Sequence, residues 1–111
     1  MQAYVTSENI PSKTQEWLEK IRPFNQHVLQ LNVPASALMV VDMQNFFLDP
    51  ASPTFACGGV AIIPTVKRLL AAFRRAGRPV IFTRHVHHPD DLDVGIMGWW
   101  WEGKCIEGSP E

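Results

Sequence analysis

Reactive and charged side chains are scarce in this sequence. Of its 111 residues only two are cysteines, Cys57 and Cys105, and their spacing matches no metal-binding pattern. The N-terminus, MQAYVTSENI, lacks both a basic start and an apolar core, so it does not read as a secretory signal. Without one a disulfide is not expected, and a reducing, cytoplasmic setting is. No apolar run approaches the ~18 residues of a membrane span. A formal net charge of −1 leaves no electrostatic case for nucleic acid or an anionic membrane as partner. There is no G-x-G-x-x-G, no Walker pattern and no internal repeat, which removes the common phosphate cradles and the solenoids. With 46% apolar and 19% charged residues the chain is globular, and its length suits one domain at most.

What is present centres on Ala37 to Asp49, ALMVVDMQNFFLD. Five apolar residues without alternation predict a strand buried on both faces, as in a parallel sheet. Asp42 ends that run abruptly, and function in open parallel sheets sits beyond the carboxyl ends of the strands. Asp42 therefore reads as an acid at the edge of a crevice, or simply as the cap of the next turn.

Residues 1–34 read as an N-terminal helical arm. Ser12 precedes a helical pattern with Trp17, Leu18 and Ile21 on one side, and Pro23 ends or bends it. Phe24 to Leu31 is open between an extended run and a turn. The arm suits docking on its own domain or on a second subunit. Residues 35–111 form the second part. After the loop containing Gly58-Gly59, a helix is predicted from near Pro64, with Val66, Leu69, Leu70 and Phe73 on its apolar side and Gly77 as its stop. Lys67, Arg68, Arg74 and Arg75 supply its solvated face, since no aromatic residues interleave them. Pro79 to Thr83 is a second short strand. Strand, crossover helix and strand make one right-handed βαβ unit, which places the polar loop RHVHHPDDLD beside Asp42. The fold class is α/β, the front part of a doubly wound parallel sheet. A sheet of two strands is marginal by itself, so a complementary C-terminal half or a partner is expected to complete it.

Asp42-Met43-Gln44-Asn45-Phe46-Phe47, with FTRHVHHPDD and WEGKCIEGSP in order, resembles the isochorismatase-like cysteine hydrolases. That superfamily includes nicotinamidases, N-carbamoylsarcosine amidohydrolase and ureidoacrylate amidohydrolases. The resemblance runs from about Ala37 to Glu111 and implies a doubly wound α/β sheet with an Asp, a Lys and a Cys in the active site. It assigns Asp42 as the base that takes the proton of the cysteine thiol, whose thiolate attacks an amide-type carbonyl. It likens Phe47 and Trp101 to positions that pack on substrate, with Gln44 and His85 beside them as further substrate contacts; Gln44 and Asn45 suit bracing the turn equally well.

The family's Lys and Cys have no counterpart here. Lys104 and Cys105 match the wrong place, Cys105 falling on a loop cysteine that is not the nucleophile, and Cys57 fits no better. Nicotinamidases bind a metal with an Asp-x-His and a later His; here His85 stands for the Asp, His87 for the first His and Lys104 for the last ligand. A cation there opposes a divalent metal, so no metal or other cofactor is expected, and His85, His87 and His88 read as capping the strand end and lining a pocket rim. Two functional readings follow. In the first, the chain is the N-terminal part of an oligomeric hydrolase of C–N bonds in small amide, carbamoyl or ureido compounds. In the second it is a non-catalytic binding or assembly partner without the nucleophile. The 111 residues alone are expected to be inactive.

Overall fold

The computed structural model describes residues 3–27, 29–88, 90, 94–96, 99 and 103–108. The first helix, α1 (Ile10–Ile21), starts earlier than the Ser12 signal suggests. Pro11 presets the backbone of its first turn. Just before it, the Thr6 amide donates to Asn9 Oδ1 (2.8 Å) and the Asn9 amide to Thr6 Oγ1 (3.2 Å). Ser12 lies inside the helix and its hydroxyl donates back to Asn9 O. Glu16 is held between Lys20 (2.6 Å) and Lys13 (3.1 Å), and these contacts lower its pKa from the ordinary value, Lys20 contributing most. No residue of α1 is buried. A 3-10 turn at Arg22–Phe24 ends the helix at Pro23, as expected.

Strand β1 (Leu38–Val40) is followed by a short helix, α2 (Asn45–Leu48), then the long helix α3 (Cys57–Arg75) and strand β2 (Val80–Phe82). The strands pair in parallel, Leu38 with Val80, Met39 with Ile81 and Val40 with Phe82. Both are shorter than their apolar runs, although ladder bonds continue outward from Leu38 to Pro79 and from Asp42 to Thr83.

The crossover helix begins at Cys57, seven residues before the predicted start at Pro64. Gly58 and Gly59 belong to its first turn. A Cβ at Gly59 would lie 2.7 Å from Leu48 Cδ2, so glycine is what lets α3 pack closely on α2. Pro64 stands within the helix at an exposed position, and it has no N–H to donate to the carbonyl of Val60, itself an exposed residue. The far end matches the sequence reading. Gly77 adopts φ 63°, its amide donates to Arg74 O and that of Arg78 to Phe73 O, which is a Schellman closure.

The expectation of a strand covered on both faces is not met. Val40 and Ala61 are buried where α3 meets the sheet, whereas Met39 is 57% exposed, its register partner Ile81 is exposed, and Phe82 is 58% exposed. Phe82 shares the face of Val40 through their register pairing, so the one crossover helix covers that face only over β1, while the opposite face of Met39 and Ile81 stays open. Among the described residues no helix is long and apolar enough to cross a membrane.

Candidate active site at the strand ends

Because β1 and β2 run in parallel, both carboxyl ends open on one edge. The chain turns sharply there at Asp42, the one described non-glycine residue with positive φ (52°), a region Asp tolerates better than most residues. Three hydrogen bonds tie this turn to Thr83. The Asp42 amide donates to Thr83 O (3.3 Å) and Thr83 Oγ1 (3.2 Å), and the Thr83 hydroxyl donates to Asp42 Oδ1 (2.7 Å). The carboxylate is thus held by the neighbouring strand while remaining partly open to solvent.

Gln44 makes the second tie. Its Oε1 accepts from the His85 amide (2.7 Å), and its Nε2 donates to His85 O (2.9 Å) and towards Cys105 Sγ (3.1 Å). One side-chain amide therefore satisfies both backbone groups of His85 and reaches the loop that carries Cys105. That loop lies beside the segment after β2 through a parallel bridge between His87 and Ile106, with the His87 amide donating to Cys105 O (2.7 Å) and that of Glu107 to His87 O (3.0 Å). Cys105 is wholly buried, and His88 pairs with Glu107 at 3.1 Å.

Beside these ties lies a cavity of about 280 Å³. Phe46, Phe47 and Val94 give it apolar walls, and Thr54, His85 and His87 its polar ones; Gly103 and Lys104 complete the described lining. The rings are interlocked. Phe46 and Phe47 meet edge to face at 5.1 Å, His85 stacks near Phe46 at 6.2 Å, and His87 meets His85 edge-on at 4.5 Å. Phe46 is buried, and its carbonyl accepts hydrogen bonds from the hydroxyls of Ser52 and Thr54, which fold the following loop back over α2.

The predicted site residues are distributed unevenly around this geometry. Phe47 and His85 line the cavity. Asp42 and Gln44 stand at the same sheet edge but outside the described lining, with Gln44 engaged in bracing. Trp101 lies outside the described residues. Thr83 was missed, although the residue after β2 in a parallel register had to emerge near Asp42. Phe46 and Thr54 carried no comparable signal. Among the described residues no group of three or more His, Cys, Asp or Glu side chains could hold a metal. With the ammonium of Lys104 beside two imidazoles, the donor set does not fit a divalent cation.

Residues 36–111 match the Isochorismatase domain family. The chain belongs to that family. Among its isochorismatase-like relatives, Nicotinamidase 3 of Arabidopsis thaliana is 39% identical over 75 residues, covering 68% of this chain and 33% of that protein. N-carbamoylsarcosine amidase of an Arthrobacter species is 35% identical over 92 residues, covering 80% of this chain and 34% of that protein. A probable inactive nicotinamidase of Arabidopsis thaliana is 37% identical over 62 residues, covering 56% of this chain and 32% of that protein. The chain spans about a third of the length of these isochorismatase-like relatives. No solved structure matches it. The α/β architecture with a parallel sheet agrees with the family assignment.

Proposed function

We propose that this chain supplies the general base and one wall of the substrate pocket in an isochorismatase-like cysteine hydrolase acting on C–N bonds of small amide, carbamoyl or ureido compounds. The observation that carries this reading is the fixed Asp42. A carboxylate on a positive-φ turn, anchored by the Thr83 hydroxyl at 2.7 Å and standing at the strand-end edge beside an aromatic cavity, is poised to accept a proton. Backbone strain of this kind persists where surrounding structure over-determines it, and here Thr83 does so. In the reaction Asp42 takes the thiol proton, the thiolate attacks the carbonyl, the amine leaves with a proton, and water releases the acyl group. Phe47 and His85 face the substrate.

The nucleophile and the lysine come from a complementary C-terminal half or a partner subunit, which also covers the open sheet face of Met39 and Ile81. A cytoplasmic, oligomeric protein fits this reading, with α1, which buries no residue, as a subunit contact.

The test is ammonia release from amide, carbamoyl and ureido compounds by the full gene product. Asp42→Asn is expected to lower kcat by roughly 10²–10⁴-fold. Retention of activity within about tenfold removes Asp42 from the role of base. The 111-residue polypeptide alone should show no turnover; hydrolysis by it, abolished by Asp42→Ala, would refute the need for a second part.

A second reading, a non-catalytic binding or assembly partner, is favoured by the placement of the two thiols. Cys105 is wholly buried, Cys57 opens α3, and neither is in the described cavity lining. Ligand binding without turnover by the full gene product would support it.

A further inference from the structure

Resting on the hydrolase reading, we infer that Lys104 is a specificity residue and that the substrate carries a carboxylate, which Lys104 pairs at the rim of the cavity. Among the described lining residues Lys104 alone is exposed, so it stands at the rim while Phe46, Phe47 and the imidazoles of His85 and His87 form the interior. No carboxylate belongs to that described lining, and Lys104 makes no ion pair or hydrogen bond among the described residues. The nearest acid in sequence with a described contact, Glu107, is engaged by His88. An ammonium at the edge of an apolar cavity, without a partner among the described residues, is attractive to an anion. The apolar walls beside it lower the polarity on the cavity side and favour pairing there over a site on open surface.

The space of about 280 Å³ is the share of the pocket that this chain lines. Phe47 and His85 offer ring faces to a planar amide or ureido group, and Lys104 holds the other end. The fitting class is a ureido or N-carbamoyl acid rather than a neutral amide.

The experiment compares two matched pairs with the full gene product: ureidoacetate against isobutylurea, and 3-ureidopropionate against isopentylurea. Ammonia release gives kcat/KM for wild type, Lys104→Met and Lys104→Arg. The wild type should favour the acids by about tenfold to a hundredfold, the preference carried by KM. Lys104→Met should bring the ratio to within about threefold of one, and Lys104→Arg should restore most of it. A wild-type ratio near one, or a ratio unchanged in Lys104→Met, overturns the assignment. Should none of the four compounds be hydrolysed, the hydrolase reading fails for this class and binding decides the rest. Shifts of the His85 and His87 ring resonances on titration with each acid, weakened by Lys104→Met, would retain the anion site. No shifts, or shifts indifferent to Lys104→Met, would overturn it.

Discussion

Replacing Gln44 by alanine separates a brace from a substrate contact. The Gln44 amide satisfies the His85 N–H at 2.7 Å and the His85 C=O at 2.9 Å, and it donates towards the buried Cys105 sulfur. A neutral hydrogen bond contributes about 1 kcal/mol net, and an orphaned buried polar group costs about 1–3 kcal/mol. His85 is only half-buried, so water can recover part of each lost bond, and the lower part of that range applies to both groups. Gln44→Ala should therefore destabilise the full gene product by about 2–3 kcal/mol, a sizeable fraction of a typical 5–15 kcal/mol. Urea titration measures this as a lowered midpoint with an unchanged slope. Gln44→Glu discriminates further. A carboxylate still accepts from the His85 amide but has nothing to donate to the His85 carbonyl and would oppose it. Its loss should therefore be at least as large as that of alanine. A cost below about 0.5 kcal/mol for Gln44→Ala, the range of ordinary surface changes, would refute the brace and return Gln44 to direct substrate contact.

Thr83→Val removes the hydroxyl that holds Asp42 Oδ1 and should lower kcat about tenfold or more with little change in KM, whereas Thr83→Ser should retain most activity. Pro64→Ala restores a helix hydrogen bond within α3 and should stabilise the protein by up to about 3 kcal/mol, read as a raised urea midpoint. Gly77→Ala places a Cβ at φ 63° and should cost about 1–2 kcal/mol by the same measurement. In α1 the folded-state pKa of Glu16 is depressed by Lys20 and Lys13. Its contribution to the helix is therefore complete above the ordinary value near 4.5 and is lost as pH falls through the lowered one. Carbon chemical shifts of residues 13–20 in the full chain should show this acid-side loss, and Glu16→Gln should abolish its pH dependence.

The βαβ unit was legible because it rests on signals that act locally. Val40 and Phe82 stand in uninterrupted apolar runs, Gly77 supplies the left-handed stop, and the apolar spacing of Val66, Leu69 and Phe73 needs no knowledge of distant residues. Together these fixed the parallel pairing, and with it the convergence of Asp42 and the histidine loop. The start of α3 was not legible. Gly58-Gly59 and the interior Pro64 both argue against a helix by propensity, and tertiary packing overrides them: α3 approaches α2 so closely at Gly59 that a Cβ there would lie 2.7 Å from Leu48 Cδ2. Ser12 misled in the opposite sense, since a good capping residue inside a helix simply bonds back to Asn9. Within the site, Phe47 and His85 were recoverable from the motif. The bracing role of Gln44 and the anchor at Thr83 depend on bonds between residues 41 apart in sequence, which no local pattern encodes.

On the proposed reading, the same long-range logic bears on why Asp42 needs a second part of the protein to act. Its position is set by β2 through Thr83, yet among the described residues β2 pairs with β1 alone, and Ile81 and Phe82 remain exposed. A positive-φ carboxylate turn is useful to catalysis only if it cannot relax, because proton transfer demands a base within hydrogen-bond reach of its donor. Two strands and one covering helix resist relaxation weakly. Covering the face of Met39 and Ile81 with further chain would remove apolar surface from water at about 25 cal/mol per Å² and stiffen the ladder that carries the Asp42–Thr83 bond. On the proposed reading, the part that brings the nucleophile also brings this cover. Assembly then creates the thiol–Asp42 pair and the rigidity it needs in one step, so a weakened Asp42–Thr83 anchor should cost activity in the complete protein and leave no trace of activity to lose in the isolated chain.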